Sequence, residues 1–195
     1  MKITRFTNLT LLLLITACSQ PIGHIQTLSL NPQIRVQTPS TAANPQPIRL
    51  HLADRRTSQV LGYLDKKGSK VELPSEDLIS ALSTPLQQGF NQLGFDSQGL
   101  NPQVAVNVLI DQLTVSHFRK PLSSKQTCNA SVSVLVEKAS GRYRGNYLGE
   151  ISEEFASKTD SNKLRKLVDQ CLQQAFTQLL NDPELRQQIQ AANIK

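Results

Sequence analysis

Few side chains in this sequence have the type and spacing that chemistry needs. His24, His51 and His117 are scattered, and none stands three or four residues from another ligand on a predicted helix, so no zinc-binding set forms. Glu150, Glu153 and Glu154 cluster, but sugar cleavage needs two carboxylates facing each other across a cleft, and these follow one another along one predicted strand. There is no glycine-rich phosphate loop and no Gly-x-Ser-x-Gly elbow. Cys128 and Cys171 lack the Cys-x-x-Cys spacing that tunes a reactive thiol. Asp54-Arg55-Arg56 is the densest polar cluster. It could meet an anionic glycan or a partner carboxylate, or be a solvated turn with a local ion pair. We therefore expect no catalytic residue, no metal site and no cofactor.

One cysteine does carry a chemical signal. Ile15-Thr16-Ala17-Cys18 places two small residues between an aliphatic residue and a thiol. Before it come the basic Lys2 and Arg5 and an apolar run densest at Leu11-Leu12-Leu13-Leu14-Ile15. Charge, apolar core and small residues in that order make a secretory signal. The run is too short to span a membrane, which takes roughly 20 apolar residues. Thr16 and Ala17 suit a narrow peptidase site, and Cys18 supplies the sulfur for a thioether to diacylglycerol, as in the lipobox of bacterial lipoproteins. Each buried methylene contributes ~0.8 kcal/mol, so two or more acyl chains hold a protein on a membrane without a transmembrane helix. Ser19 follows, where enterobacterial-type lipoproteins kept on the inner membrane usually carry Asp. That comparison implies the periplasmic face of the outer membrane.

The 195 residues suggest one domain once residues 1–17 (signal) and 18–46 (tether) are set aside. Losing Lys2 and Arg5 leaves 19 Lys and Arg against 15 acids, so the formal charge falls from +6 to +4. This is mild, and no Lys/Arg block interleaves with aromatics, which argues against nucleic acid as a partner. With Cys18 acylated, Cys128 and Cys171 remain, an even count for an oxidising compartment. Both fall on core-facing positions. They can form a bridge contributing roughly 3–4 kcal/mol, or pack as two buried thiols.

The elements that would position these residues follow from periodicity. Residues 18–46 hold Pro21, Pro32, Pro39 and Pro45 among Ser, Thr, Asn and Gln, the composition of an extended spacer. Only Ile25 to Leu30 within it could form an edge strand. Ile48, Leu50 and Leu52 alternate with Arg49 and His51 as a half-buried strand. Val60 to Leu64 and Lys70 to Leu73 flank a turn with Gly68 at a left-handed position. A helix is predicted from Ser75 as N-cap to Gly94 as stop, with the stripe Leu78, Leu82, Leu86, Phe90. At Thr84-Pro85 a kink or a second helix start is expected. Val104, Val106, Val108 and Ile110 alternate, then the phase shifts at Asp111-Gln112, the mark of a bulge.

Phe118 to Thr127 reads as a basic connection. Cys128 to Val136 is the next strand, and a turn at 138–141 leads into Arg142 to Phe155. There Arg142, Arg144, Asn146 and Glu150 share the solvated face. Leu164, Leu167, Val168, Cys171, Leu172, Ala175, Phe176 and Leu179 form the strongest helical stripe. Asp182-Pro183 caps and opens a short terminal helix. Alternating strands predict a mainly antiparallel sheet with one face toward water. Two striped helices cover the other face, so the fold class is α+β, a two-layer sandwich over 47–195.

Laid out in this way, the chain resembles the YajG family of uncharacterised bacterial lipoproteins. The resemblance rests on Cys18, on Ala53-Asp54-Arg55-Arg56-Thr57 after the first strand, and on Ser75-Glu76-Asp77-Leu78 opening a helix that ends Gly94-Phe95. The meander with Ala130, Val132 and Val134 and the aromatic strand ending near Phe155 also match. It implies an outer-membrane periplasmic lipoprotein and supplies no activity. The leading expectation is a non-enzymatic interaction or envelope-maintenance protein. Acyl chains on Cys18 would anchor it, and an envelope protein or cell-wall component would be its partner. Asp54, Arg55, Arg56, Arg142 and Arg144 are the candidate contacts. The alternative is a carrier or sensor holding a small ligand or glycan between helices and sheet.

Overall fold

The computed structural model of the protein describes residues 26–41, 44–63, 69–119, 121, 123–155 and 161–190. Cys18 and the turn around Gly68 lie outside these residues. The central sheet has five strands. In spatial order they are β5 (Phe95–Asp96), β2 (Gln46–Asp54), β6 (Val104–Arg119), β7 (Ser124–Lys138) and β8 (Gly141–Phe155). A smaller sheet holds β1 (Gln26–Thr27), β4 (Lys70–Glu72) and β3 (Val60–Tyr63). The helices are α1 (Ser75–Gln92), α2 (Ser161–Leu180) and α3 (Pro183–Gln190).

The meander β6–β7–β8 is antiparallel, as the alternation predicts. The sheet is mainly antiparallel as expected, with parallel pairing at one strand: β2 runs parallel to both β5 and β6. The hairpin β3–β4 and α1 lie between β2 and β6 in sequence. That long crossover returns the chain to its starting end, so the next strand joins in parallel. The register shifts between Ile110 and Gln112. This bulge keeps Leu113 and Val115 on the buried face after Val104, Val106, Val108 and Ile110.

Strands β6 and β7 continue through most of the stretch read as a connection. Ser124 and Gln126 are buried there, so their polarity concealed a strand end. Helix α1 runs unbroken with Pro85 inside it, so no second start occurs at Thr84. Nor is Ser75 its cap: Pro74 holds that position, and the Ser75 hydroxyl turns to Asp54 instead. Gly94, at φ 86°, ends the helix in the left-handed conformation that glycine permits. Asp182 does cap α3, its Oδ1 accepting from the Glu184 N–H at 2.8 Å.

The core lies between the sheet and α1, α2 and the small sheet. Leu78, Leu82, Leu86 and Phe90 of α1 and Leu167, Leu172, Phe176 and Leu179 of α2 meet Val106, Val108, Val132 and Val134, all buried. Each such side chain contributes roughly 1.5–3 kcal/mol relative to exposure. Helix α2 lies so close to β8 that a Cβ on Gly149 would overlap the Cys171 carbonyl oxygen. Likewise a Cβ on Gly89 would overlap Leu180 Cδ1.

The described part of the expected tether is bound to the domain. Leu28 is buried, and Leu30, Ile34 and Val36 pack on the core. The Asn31 N–H donates to Asp169 at 2.8 Å and the Gln37 N–H to Asn181 Oδ1 at 2.7 Å. The Arg186 guanidinium donates to the Thr38 carbonyl at 3.1 Å. These bonds tie the segment's backbone along α2 and α3, while its spaced aliphatic residues pack on the core. A domain boundary at residue 47 is therefore too late.

Candidate docking face

The cluster Asp54-Arg55-Arg56 divides in the structure. Arg56 and Asp54 side chains are 3% and 4% exposed and form a bidentate pair, with Nε to Oδ1 at 2.9 Å and Nη2 to Oδ2 at 2.8 Å. Ser75 Oγ donates to the same carboxylate at 2.5 Å, and Arg56 also reaches the Leu73 carbonyl at 2.8 Å. Burial opposes ionisation of Asp54. The donors from Arg56 and Ser75 outweigh it and hold the carboxyl below its usual range. This pair joins the end of β2 to the start of α1. It is structural, and its burial corrects the expectation that Asp54 and Arg56 contact an anion or partner. Arg55 remains exposed, with Asp111 at 4.0 Å.

The outward side of the central sheet is where the other predicted residues gather. Cross-strand register sets three rows there. The first is Arg49, Ala105, Glu137 and Arg142, and the second is His51, Asn107, Leu135 and Arg144. The third is Ala53, Leu109, Ser133 and Asn146. Leu148, next along β8 on this side, is 63% exposed. Arg142 is 76% exposed and holds Glu137 at 3.1 Å, while Asn107 donates to the other Glu137 oxygen at 3.3 Å. At the row end, Arg49, Glu137, Lys138 and Arg142 border an open cleft of about 420 Å³.

No helix of the described residues covers this side. Leu148 is exposed there, Leu109 and Leu135 are half-buried among polar neighbours, and Arg49, Arg142 and Arg144 stand along the rows. Sequence reasoning found Arg142 and Arg144 and passed over Leu148, Leu135 and Leu109. The available signal was a leucine at each of these otherwise polar strand positions.

The β8 edge beside this face is closed around its middle. The Glu150 N–H donates to Gln174 Oε1 at 3.0 Å, and the Cys171 thiol donates to the Gly149 carbonyl at 3.3 Å. Cys128 and Cys171 are both buried as free thiols beneath β8. Hydrogen bonding with Cys171, then burial, pushes the Cys128 thiol far above its usual range. Tyr147 donates to Asp182 at 2.6 Å, and burial followed by that bond raises its pKa well above that of free tyrosine. These contacts fix α2 and the start of α3 to the sheet. Among the described residues no group of His, Cys, Asp and Glu is placed to hold a metal.

An α+β sandwich with a filled interlayer and one bare sheet face is the class of domain these observations define. The chain belongs to the uncharacterized lipoprotein family, a YajG-like group whose family model matches residues 32–190. No activity is assigned to that family, and membership goes with a membrane-anchored place in the cell envelope. No curated protein matches the chain. A Xanthomonas campestris protein of the DUF330 family shares the fold at 14% identity, over 86% of this chain and 98% of that one, with a TM-score of 0.52. Two further solved structures are more distant. A Helicobacter pylori hemagglutinin homolog is 10% identical over 84% and 97% of the two chains, with a TM-score of 0.47. A minor lipoprotein of Acinetobacter baumannii is 12% identical over 75% and 91%, with a TM-score of 0.38.

Proposed function

We propose that the protein is a non-enzymatic docking lipoprotein, held by acyl chains on Cys18 at the periplasmic face of the outer membrane. Its bare sheet face would bind another envelope component. The observation that carries this reading is the contrast between a sealed interlayer and an uncovered face with leucines among arginines. A carrier needs room between helices and sheet; against that, α2 closes on β8 at Gly149, and the facing side chains of α1, α2 and the strands are buried. Arg49, Arg142 and Arg144 suit a partner with carboxylates or an anionic polymer, and Leu109, Leu135 and Leu148 add apolar contact.

The same compartment favours oxidation of Cys128 and Cys171. The two thiols would lose two protons and two electrons to an oxidising thiol–disulfide exchange partner, leaving one bridge between β7 and α2. Radiolabelled palmitate should enter the wild-type chain and be absent from Cys18→Ser, and labelling of that variant would refute the anchor. Crosslinked co-purification from detergent-solubilised envelopes should recover one envelope protein or cell-wall fragment with the anchored form. Recovery of the monomer alone would count against docking.

A further inference from the structure

The chain leaves the described domain at a particular end. Strand β1 lies parallel to β4, with Gln26 opposite Val71, and β4 pairs with β3, Tyr63 opposite Lys70. Gln26, where the described chain begins, therefore lies in the row of Val71 and Gly62, one position from Tyr63 and Lys70. Strand β3 crosses β6 so closely that a Cβ on Gly62 would overlap the Val115 carbonyl oxygen. Tyr63 borders the same crevice as Val115, Gln126 and Leu164, and Gln126 is paired with His117. Chain exit, β3 and the far end of the β6–β7 hairpin thus share one end of the molecule.

That end is chemically distinct. Phe118 is 64% exposed and Tyr63 56%, the two exposed aromatics among the large hydrophobic residues described. Lys70, Arg119 and Lys125 are exposed around them. Among the described residues the acids at this end are Glu72, Glu153 and Glu154; Glu154 accepts from Ser123 at 2.5 Å, while Lys163 lies over the Phe155 ring at 5.6 Å. Exposed aromatics beside cations suit a bilayer interface, where rings sit at headgroup depth and Lys or Arg meets phosphate. Seven residues lie between Cys18 and Gln26, which are joined by eight Cα–Cα steps. Fully extended they reach no more than about 29 Å, roughly the length of a small domain, so the anchor keeps this end near the lipid.

We propose that the end carrying Tyr63, Phe118, Lys70, Arg119 and Lys125 is a second membrane contact that sets the domain's orientation on the bilayer. The proposal rests on the anchored reading of Cys18. Its occupant is the anionic headgroup surface of the membrane that holds the acyl chains. With this end seated on lipid, the sheet face with Leu148 and Arg144 stands to the side, free for a partner.

The chain has no tryptophan, so one introduced tryptophan is a unique reporter. The acylated full-length protein would be reconstituted into phosphatidylethanolamine–phosphatidylglycerol vesicles, some with brominated acyl chains, as Phe118→Trp or as Leu148→Trp. In the first variant the expected emission is blue-shifted, quenched by bromolipid and shielded from acrylamide. In the second the indole should stay open to acrylamide. Reversing charge with Arg119→Glu and Lys125→Glu in the Phe118→Trp chain should weaken bromolipid quenching by at least about threefold. Equal acrylamide access at both positions, or bromolipid quenching at position 148 alone, would overturn the proposal. If the protein floats with the vesicles while the indole at position 118 stays wet, only this contact fails. If it does not float at all, the anchored reading fails with it.

Discussion

The two faces of the central sheet are built from the same strands and could hardly differ more. On the inner face Val104, Val106, Val108, Val132, Val134 and Val136 are sealed against two helices. On the outer face their sequence neighbours Ala105, Asn107, Leu109 and Leu135 are half-buried and Ser133 is buried, yet no helix of the described residues lies over them. The same residue types have opposite meanings on the two sides. Arg56 is sealed with Asp54 at the strand end, whereas Arg142 pairs with Glu137 in water. A charge that is fully enclosed holds the fold together, and one that is exposed is available to a partner.

The sharpest way to break this comparison is to remove one arginine from each environment. Arg56→Ala should destabilise by about 3–5 kcal/mol, because Asp54 is left buried without its partner. Arg142→Ala should stay within about 0.5 kcal/mol of wild type. Denaturant midpoints report both, and equal losses would erase the distinction.

The buried pair also predicts a pH dependence. Asp54 has a folded pKa below its unfolded value, so its contribution is present above about pH 4 and is lost as pH falls through the folded pKa. Asp54→Asn should lack that part of the acid profile.

Next in size, Gly149→Val should cost up to about 3 kcal/mol, since its Cβ would overlap the Cys171 carbonyl and push α2 off β8. The same packing bears on the cysteines. Denatured, unreduced protein from the periplasm should leave Cys128 and Cys171 unlabelled by thiol reagents, and free labelling would end the bridge proposal.

A smaller effect is expected at the strap of residues 28–40. Asp169→Ala removes the acceptor of the Asn31 N–H and should cost about 1–3 kcal/mol, whereas Asp169→Asn keeps an acceptor. Burial raises the Asp169 pKa despite Asn31 and Arg165. Its ionisation therefore costs stability as pH rises through the folded value, a cost the Asn variant avoids.

Local pattern carried much of this fold. Alternation in β6 and β8, the phase shift at Asp111, the stripe of α2 and the cap at Asp182 were all legible, because each is decided by neighbours in sequence. The rest depends on distant partners. The parallel placement of β2 is set by a crossover of some fifty residues. The strap shows no period, because Leu28, Ile34 and Val36 fit a core surface assembled from distant parts of the chain. Burial of Asp54 with Arg56 required Leu73 and Ser75 to close over them. The site was half legible: Arg142 and Arg144 could be placed on the open face by alternation. The leucines beside them came to share that face only once β6, β7 and β8 were in register.

The most direct test of the docking claim is positional photo-crosslinking in intact envelopes. A photoreactive residue at position 146, in the middle of the bare face, is compared with one at exposed Gln88 on α1. The account predicts a discrete adduct from position 146 that disappears when Arg142 and Arg144 are changed to Glu, and none from position 88. Adducts from 88 with none from 146 would contradict it and move the binding surface to the helical side.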